Sequence, residues 1–361
     1  MSLASLTDIS RILSALLGLG SSLFAQIVSA QVAENEIIAS DSLDYYLIQA
    51  FEAPRAEQRL ALNHIGIQVL AADAGFIVTA ALEGYPAHQS GIMRGDKIIS
   101  VNGEPYHPVY SFNSNRSESG RFLPLKREHQ LEFERQGTLA SVNIVPVFEN
   151  LYDSYRSATV TSAQAFPLGN KLIGYIRFWG LSRSTSDLFT LKQVMGSFTD
   201  SDGMIVDLRN SYGYLSSFHL DLFIRDGRGK FESSDPSNRH TALGRSLPLN
   251  STRPFTKPIV VLVNSETRAG AELFAYGLSK LGRITTLGQN SAGEIGSYLF
   301  DDTNSGESVL RYVPAEKMLI DGKLFESTGV IPKEPTAFPF TQSSRSDPQF
   351  ESAVNILLGI I

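Results

Sequence analysis

The sequence predicts an α/β protein in two parts, a β-rich block followed by a mostly parallel sheet with helices between its strands. Two patterns predict it. From Gly66 to about Val147 the chain runs in short strand-like segments: Gly66-Ile67-Gln68-Val69-Leu70, Phe76-Ile77-Val78-Thr79-Ala80 and Lys97-Ile98-Ile99-Ser100-Val101. The last is closed by Asn102-Gly103, a dipeptide that favours tight hairpin turns. After residue 170 the pattern becomes strand, turn, helix, strand, which builds parallel sheets.

Within the β-rich block, Leu131-Glu132-Phe133-Glu134 and Ala140-Ser141-Val142-Asn143-Ile144-Val145 alternate like half-buried strands. In the second part Ile173-Gly174-Tyr175-Ile176 is a strand, and a helix follows toward Phe198. Gly203-Met204-Ile205-Val206-Asp207-Leu208 and Pro258-Ile259-Val260-Val261-Leu262-Val263-Asn264 are apolar runs with polar ends, as buried parallel strands require. A helix from Gly270 to Leu281 and a strand from Gly282 to Gly288 complete the repeat. Leu43, Tyr46, Leu47, Ala50 and Phe51 recur at helical spacing, so a short helix precedes the β-rich block. Residues 226 to 257 cluster Gly, Ser, Asn and Pro and read as a surface excursion.

Composition narrows the function. The chain has 361 residues, 42% hydrophobic and 19% charged, enough for a sizeable core. A net charge of −6 without a long basic stretch argues against nucleic acid as a partner. With no cysteine, disulfides, thiolate metal sites and a cysteine nucleophile are excluded. The six histidines show no metal-ligand spacing and no phosphate or dinucleotide fingerprint follows a strand, so neither a metal nor a cofactor is expected. Arg11, the apolar run Ile12 to Ile27 and the small residues Val28-Ser29-Ala30 read as a secretory signal cleaved after Ala30. That implies export to a periplasmic or extracellular space, with no stable membrane span after cleavage. The alternative for this stretch is a buried or amphipathic N-terminal helix.

The segment Glu83-Gly84-Tyr85-Pro86-Ala87-His88-Gln89-Ser90-Gly91-Ile92, followed by Arg94-Gly95-Asp96-Lys97-Ile98-Ile99-Ser100-Val101-Asn102-Gly103, resembles a bacterial PDZ domain. Such a domain adds a peptide to a sheet edge and captures its terminal carboxylate on backbone N–H groups. The resemblance places that loop at His64, Ile65, Gly66 and Ile67. A PDZ-shaped spacer without a peptide is the plainer alternative.

The second part resembles the C-terminal processing peptidases, tail-specific serine peptidases with a crotonase-like α/β core and an embedded PDZ domain. Val206-Asp207-Leu208-Arg209-Asn210-Ser211-Tyr212-Gly213-Tyr214 is similar to the family's D-L-R-x-N-x-G-G. Val260 to Ala275 is similar to V-V-L-V-N-x-x-T-x-S-[AG]-x-E, with Ala269 in the serine's place. Gly282-Arg283 through Gly288 and Ala292-Gly293-Glu294-Ile295-Gly296 match a third segment, with Glu294 in the lysine's place. Gly329-Val330-Ile331-Pro332 matches a late one, with Lys333 replacing an aspartate. The order implies a helical segment over 31–63, a PDZ domain over 64–148, a peptidase-like core over 149–345 and a C-terminal helix over 346–361.

Acyl transfer needs a nucleophile on a tight strand-to-helix turn and N–H donors aimed at the developing oxyanion. The resemblance gives the nucleophile position to Ala269 and the donors to the amides of Gly270 and Gly213. A methyl group cannot attack a carbonyl, so the chain is inactive as written. Two origins fit: a serine-to-alanine change in an otherwise active serine endopeptidase, expected to cleave as Ala269→Ser, or a natural pseudopeptidase that binds peptides through its PDZ domain. Glu294, His219, Lys280 and Lys317 are the candidate bases. The expected partners are proteins or peptides, taken by their C-terminal segments.

Overall fold

The computed structural model describes residues 37–224, 231–235, 237–240, 253–303, 308–341 and 346–361. The expected secretory signal lies outside the described residues. Residues 38–361 form one compact unit.

The second part is built on a six-stranded sheet. Its order is Gln164–Leu168, Lys171–Arg177, Gly203–Asp207, Ile259–Val263, Ile284–Gly288 and Glu334–Pro335. The first pair is antiparallel and every other pair is parallel. Alternate residues face opposite sides, so each buried strand supplies two cores. Ile176, Val206, Val261 and Val263 pack beneath the helices Thr185–Gly196 and Gly270–Ser279. Ile173, Tyr175, Ile205, Val260 and Leu262 pack beneath the helix Pro348–Leu358. This two-sided burial explains why these strands read as continuous apolar runs. The helix expected to reach Leu281 ends at Ser279, with Lys280 as its cap and Gly282 just beyond.

The β-rich block is an antiparallel sheet ordered Ile67–Ala72, Gly75–Ala81, Lys97–Val101, His129–Arg135 and Thr138–Ile144. Ile65, Val78, Ile98, Leu131, Phe133 and Ile144 form its core. The strand Ile67–Ala72 lies at one edge of this sheet. A third core joins the two parts. It contains Phe51 from the helix Leu43–Glu52, Tyr152 and Tyr155 from the helix Leu151–Ser162, and Trp179, Tyr212 and Ala269.

Candidate active site

The site lies where four adjacent parallel strands end. Ile259–Val263 leads through Asn264 to Ala269, and the helix Gly270–Ser279 starts at the next residue. Ala269 is 1% exposed and has φ 57° and ψ −128°. A residue with a Cβ rarely takes positive φ, and holding it there costs about 1–3 kcal/mol. The surroundings impose it. The Ala269 N–H donates to the Glu294 carbonyl at 3.0 Å, and the Arg268 N–H donates to the Ser211 carbonyl at 3.0 Å. The turn before it is also fixed, with Thr267 Oγ1 donating to the Leu208 carbonyl at 2.8 Å.

The two glycines proposed as oxyanion donors are neighbours. A Cβ built on Gly270 would lie 2.5 Å from the Gly213 carbonyl oxygen, and Gly213 itself has φ +127°. Side chains are excluded at both places, which is why the backbones can meet. It is the Gly213 carbonyl that abuts Gly270, and His240 Nδ1 lies 3.3 Å from the same oxygen. His240 also stacks on Tyr214 at 5.2 Å, and burial lowers its pKa to about 4. Sequence spacing gave no sign of it, because 27 residues and a polar stretch separate it from Gly213.

Glu294 faces the elbow. Its backbone joins Ala269, and the Tyr298 hydroxyl approaches its carboxylate at 3.5 Å. The loop carrying it is pinned by Glu272, in the first turn of the helix after the elbow. Glu272 accepts from Ser291 Oγ at 2.6 Å, from the Gly293 N–H at 2.6 Å and from the Glu294 N–H at 2.8 Å. Burial pushes the Glu272 pKa up to about 8, outweighing those three donors. Glu272, the glutamate of the Val260–Ala275 segment, is therefore a brace between elbow and loop.

His219 is spent elsewhere. It caps its own short helix, its Nδ1 accepting from the Ser216 N–H at 2.9 Å. Its ring lies 6.0 Å from Phe274 and faces a small cavity of about 40 Å³ with Phe51, Tyr152 and Leu191, which Ala269 does not line. Burial lowers its pKa to about 3. In this structure its ring caps the helix and packs against Phe274. Lys280 sits at the far end of the elbow helix, roughly 16 Å away at helical rise, bound to Asp321 at 2.5 Å. Trp179 is fully buried and belongs to the core, not to a cleft.

A groove of about 370 Å³ runs from the β-rich block to Arg268, the residue before the elbow. One wall is the edge strand Ile67–Ala72, its floor includes Leu47, Leu82 and Leu151, and Arg268 and Glu266 stand at its end. Arg268 is fixed by Asp44 at 3.0 and 3.1 Å. Burial opposes its charge, but Asp44, Tyr298, Glu266 and Glu294 together hold its pKa well above the ordinary range. Gln68 Nε2 ties the edge strand to the Asn210 carbonyl at 3.1 Å. Of the four expected carboxylate-loop residues, Gly66 and Ile67 line the groove, and His64 and Ile65 lie buried behind it. The Gly66 N–H is already given to His64 Nδ1 at 3.1 Å, and burial lowers the His64 pKa to about 4.

Among the described residues no cluster of acidic residues or histidines could hold a metal, and no helix is long and apolar enough to cross a membrane.

Residues 172–336 match the model of peptidase family S41, and residues 57–109 match that of the PDZ domain. The chain is 24% identical over 279 residues to the carboxy-terminal processing protease CtpA of Bacillus subtilis, covering 76% of this chain and 56% of that one. It is 24% identical over 306 residues to the carboxyl-terminal-processing protease of Synechocystis, covering 78% of this chain and 65% of that one. The chain thus matches somewhat more than half the length of these relatives. A solved structure from Bacteroides fragilis, assigned to the S41 proteases, shares the fold. Its TM-score is 0.54 at 17% identity, over 92% of this chain and 88% of that one.

Proposed function

We propose that this chain, a PDZ-bearing relative of the C-terminal processing peptidases, holds extended C-terminal segments of other proteins and does not cut them. The observation that carries this reading is the elbow at Ala269. The strained turn, the neighbouring glycine backbones and the groove leading in are kept, and the attacking atom is missing. Peptide would add to the edge strand Ile67–Ala72 and lay its chain toward Arg268 and Ala269. The groove also carries Asp41, Asp44 and Glu266 against Arg268, so it favours apolar segments with a basic residue over acidic ones.

The rest of the reading follows the same resemblance. The core is taken as crotonase-like, with a PDZ domain over 64–148 between a helical segment (31–63) and a peptidase-like core (149–345), and a C-terminal helix over 346–361. Export to the periplasm or exterior remains the expectation for its location.

A second reading, a serine endopeptidase lacking only its nucleophile, is favoured by the retained positive φ at 269. Cleavage of an unfolded reporter protein by the parent chain and by Ala269→Ser separates the two. Under the proposal neither cleaves, because Glu294 replaces the lysine and His219 is spent on its helix cap. Cleavage by Ala269→Ser alone establishes the second reading.

A further inference from the structure

A second cavity, of about 220 Å³, opens at the end of the parallel sheet. Its wall is made by residues that follow four adjacent strands. Arg177 ends the strand Lys171–Arg177, Arg209 and Asn210 follow Gly203–Asp207, Asn264 follows Ile259–Val263, and Gln289 follows Ile284–Gly288. The β-rich block closes it with Thr79 and Arg94. Crevices beyond the carboxyl ends of parallel strands are the usual ligand sites of open α/β sheets.

The charges in this wall are unevenly matched. Arg209 is bound to Asp207 at 2.6 Å and to Asp347 at 2.7 Å. Arg177 lies 4.0 Å from Glu83 and over the Trp179 ring at 3.7 Å. Arg94 has no carboxylate partner among the described residues. It gives its terminal nitrogens to the Phe338 and Thr79 carbonyls, and its guanidinium lies 4.0 Å from the Phe338 ring and 4.4 Å from the Phe340 ring. The Nε atoms of both Arg94 and Arg177 are buried without a hydrogen-bond partner. Burial, with Arg209 and Arg177 nearby, lowers the Arg94 pKa to about 10. Arg94 is partly buried without a paired carboxylate, and a guanidinium with a spare N–H suits a planar or tetrahedral oxyanion.

We propose that this cavity binds a small oxyanion, a carboxylate or a phosphate, between Arg94 and Arg177. The anion neutralises Arg94 and ties the β-rich block to the strand ends. The site shares only Thr79 with the lining of the peptide groove and does not depend on whether the elbow once cleaved.

The single tryptophan reports on it, because Trp179 lies directly under Arg177. The test is a titration of the full chain with phosphate and with acetate, followed by tryptophan fluorescence, with chloride holding ionic strength constant. A saturable change with either oxyanion, weakened at least tenfold in Arg94→Gln and less in Arg94→Lys, is expected. Gln289→Leu, which leaves the Arg94 stack untouched, should weaken binding several-fold and guards against a misfolded Arg94→Gln. Saturation by phosphate that a C-terminal peptide acid displaces, and its amide does not, identifies a peptide carboxylate as the source. Saturation without displacement identifies free phosphate. No saturable change with either oxyanion, or an unchanged titration in both a folded Arg94→Gln and Gln289→Leu, overturns the proposal.

Discussion

At position 269 a methyl group stands on a tight strand-to-helix turn with positive φ. The backbone pays a conformational cost there, and hydrogen bonds to Glu294 and from the Arg268 amide to Ser211 keep it in place. The same logic governs the D-L-R segment. Asp207 is fully buried, and burial works against its ionisation, yet Arg209 and Arg177 hold its pKa down at about 2. Arg209 Nη2 reaches it at 2.6 Å and Nη1 continues to Asp347, at the cap of the last helix. Removing one member of such a pair leaves the other charge buried. Arg209→Ala should therefore lose about 3–5 kcal/mol of stability, read from chemical denaturation. A loss below about 1 kcal/mol would mean the motif does not anchor the strand end.

Among the elements, the apolar strands and the helix after the elbow were readable from the sequence, because two-sided burial and helical periodicity leave direct marks in residue type. The carboxylate loop was readable only in part. The Gly66 turn is where it was expected, but its N–H is taken by His64, a contact set by ring orientation, which no spacing encodes. His219 shows the same limit. A histidine three residues after a serine fits a capping role as well as a catalytic one, and only the short helix Ser217–Asp221 decides. His240 and Asp44 reach the site from distant segments, so no local pattern could announce them. The motif residues themselves, Thr267, Arg268 and Glu272, were visible, but their duties as stitches between loops emerge only in three dimensions.

For the molecule as a whole, buried histidines and buried glutamates act in opposite directions on how stability follows pH. His64, His219 and His240 have folded pKa values of about 4, 3 and 4, below the ordinary 6.5. The unfolded chain binds their protons first, so their contribution is present above pH 6.5 and is lost as pH falls toward 4. Glu272, raised to about 8, acts in the other direction. Its contribution is present below 4.5 and is lost as pH rises through 8. Burial raises Glu52, Glu83 and Glu326 in the same direction as Glu272, so below pH 6.5 the glutamates offset the histidines, while above it the histidines no longer titrate and the large shift of Glu272 remains. Glu272 therefore makes stability fall as pH rises from 6.5 to 8, by up to about 1.4 kcal/mol per pH unit. Melting temperatures should fall from pH 6.5 to 8, and Glu272→Gln should flatten that fall. A flat profile in the parent chain would show that these groups are not held as described.

The most direct test of the account is equilibrium binding of a labelled, apolar peptide with a free C-terminal carboxylate, with its C-terminal amide as control, and mass spectrometry of the peptide afterwards. The account predicts that the acid binds, that the amide binds more weakly, and that both are recovered intact. Absence of binding by either peptide, or recovery of cleaved peptide from the parent chain, would contradict it.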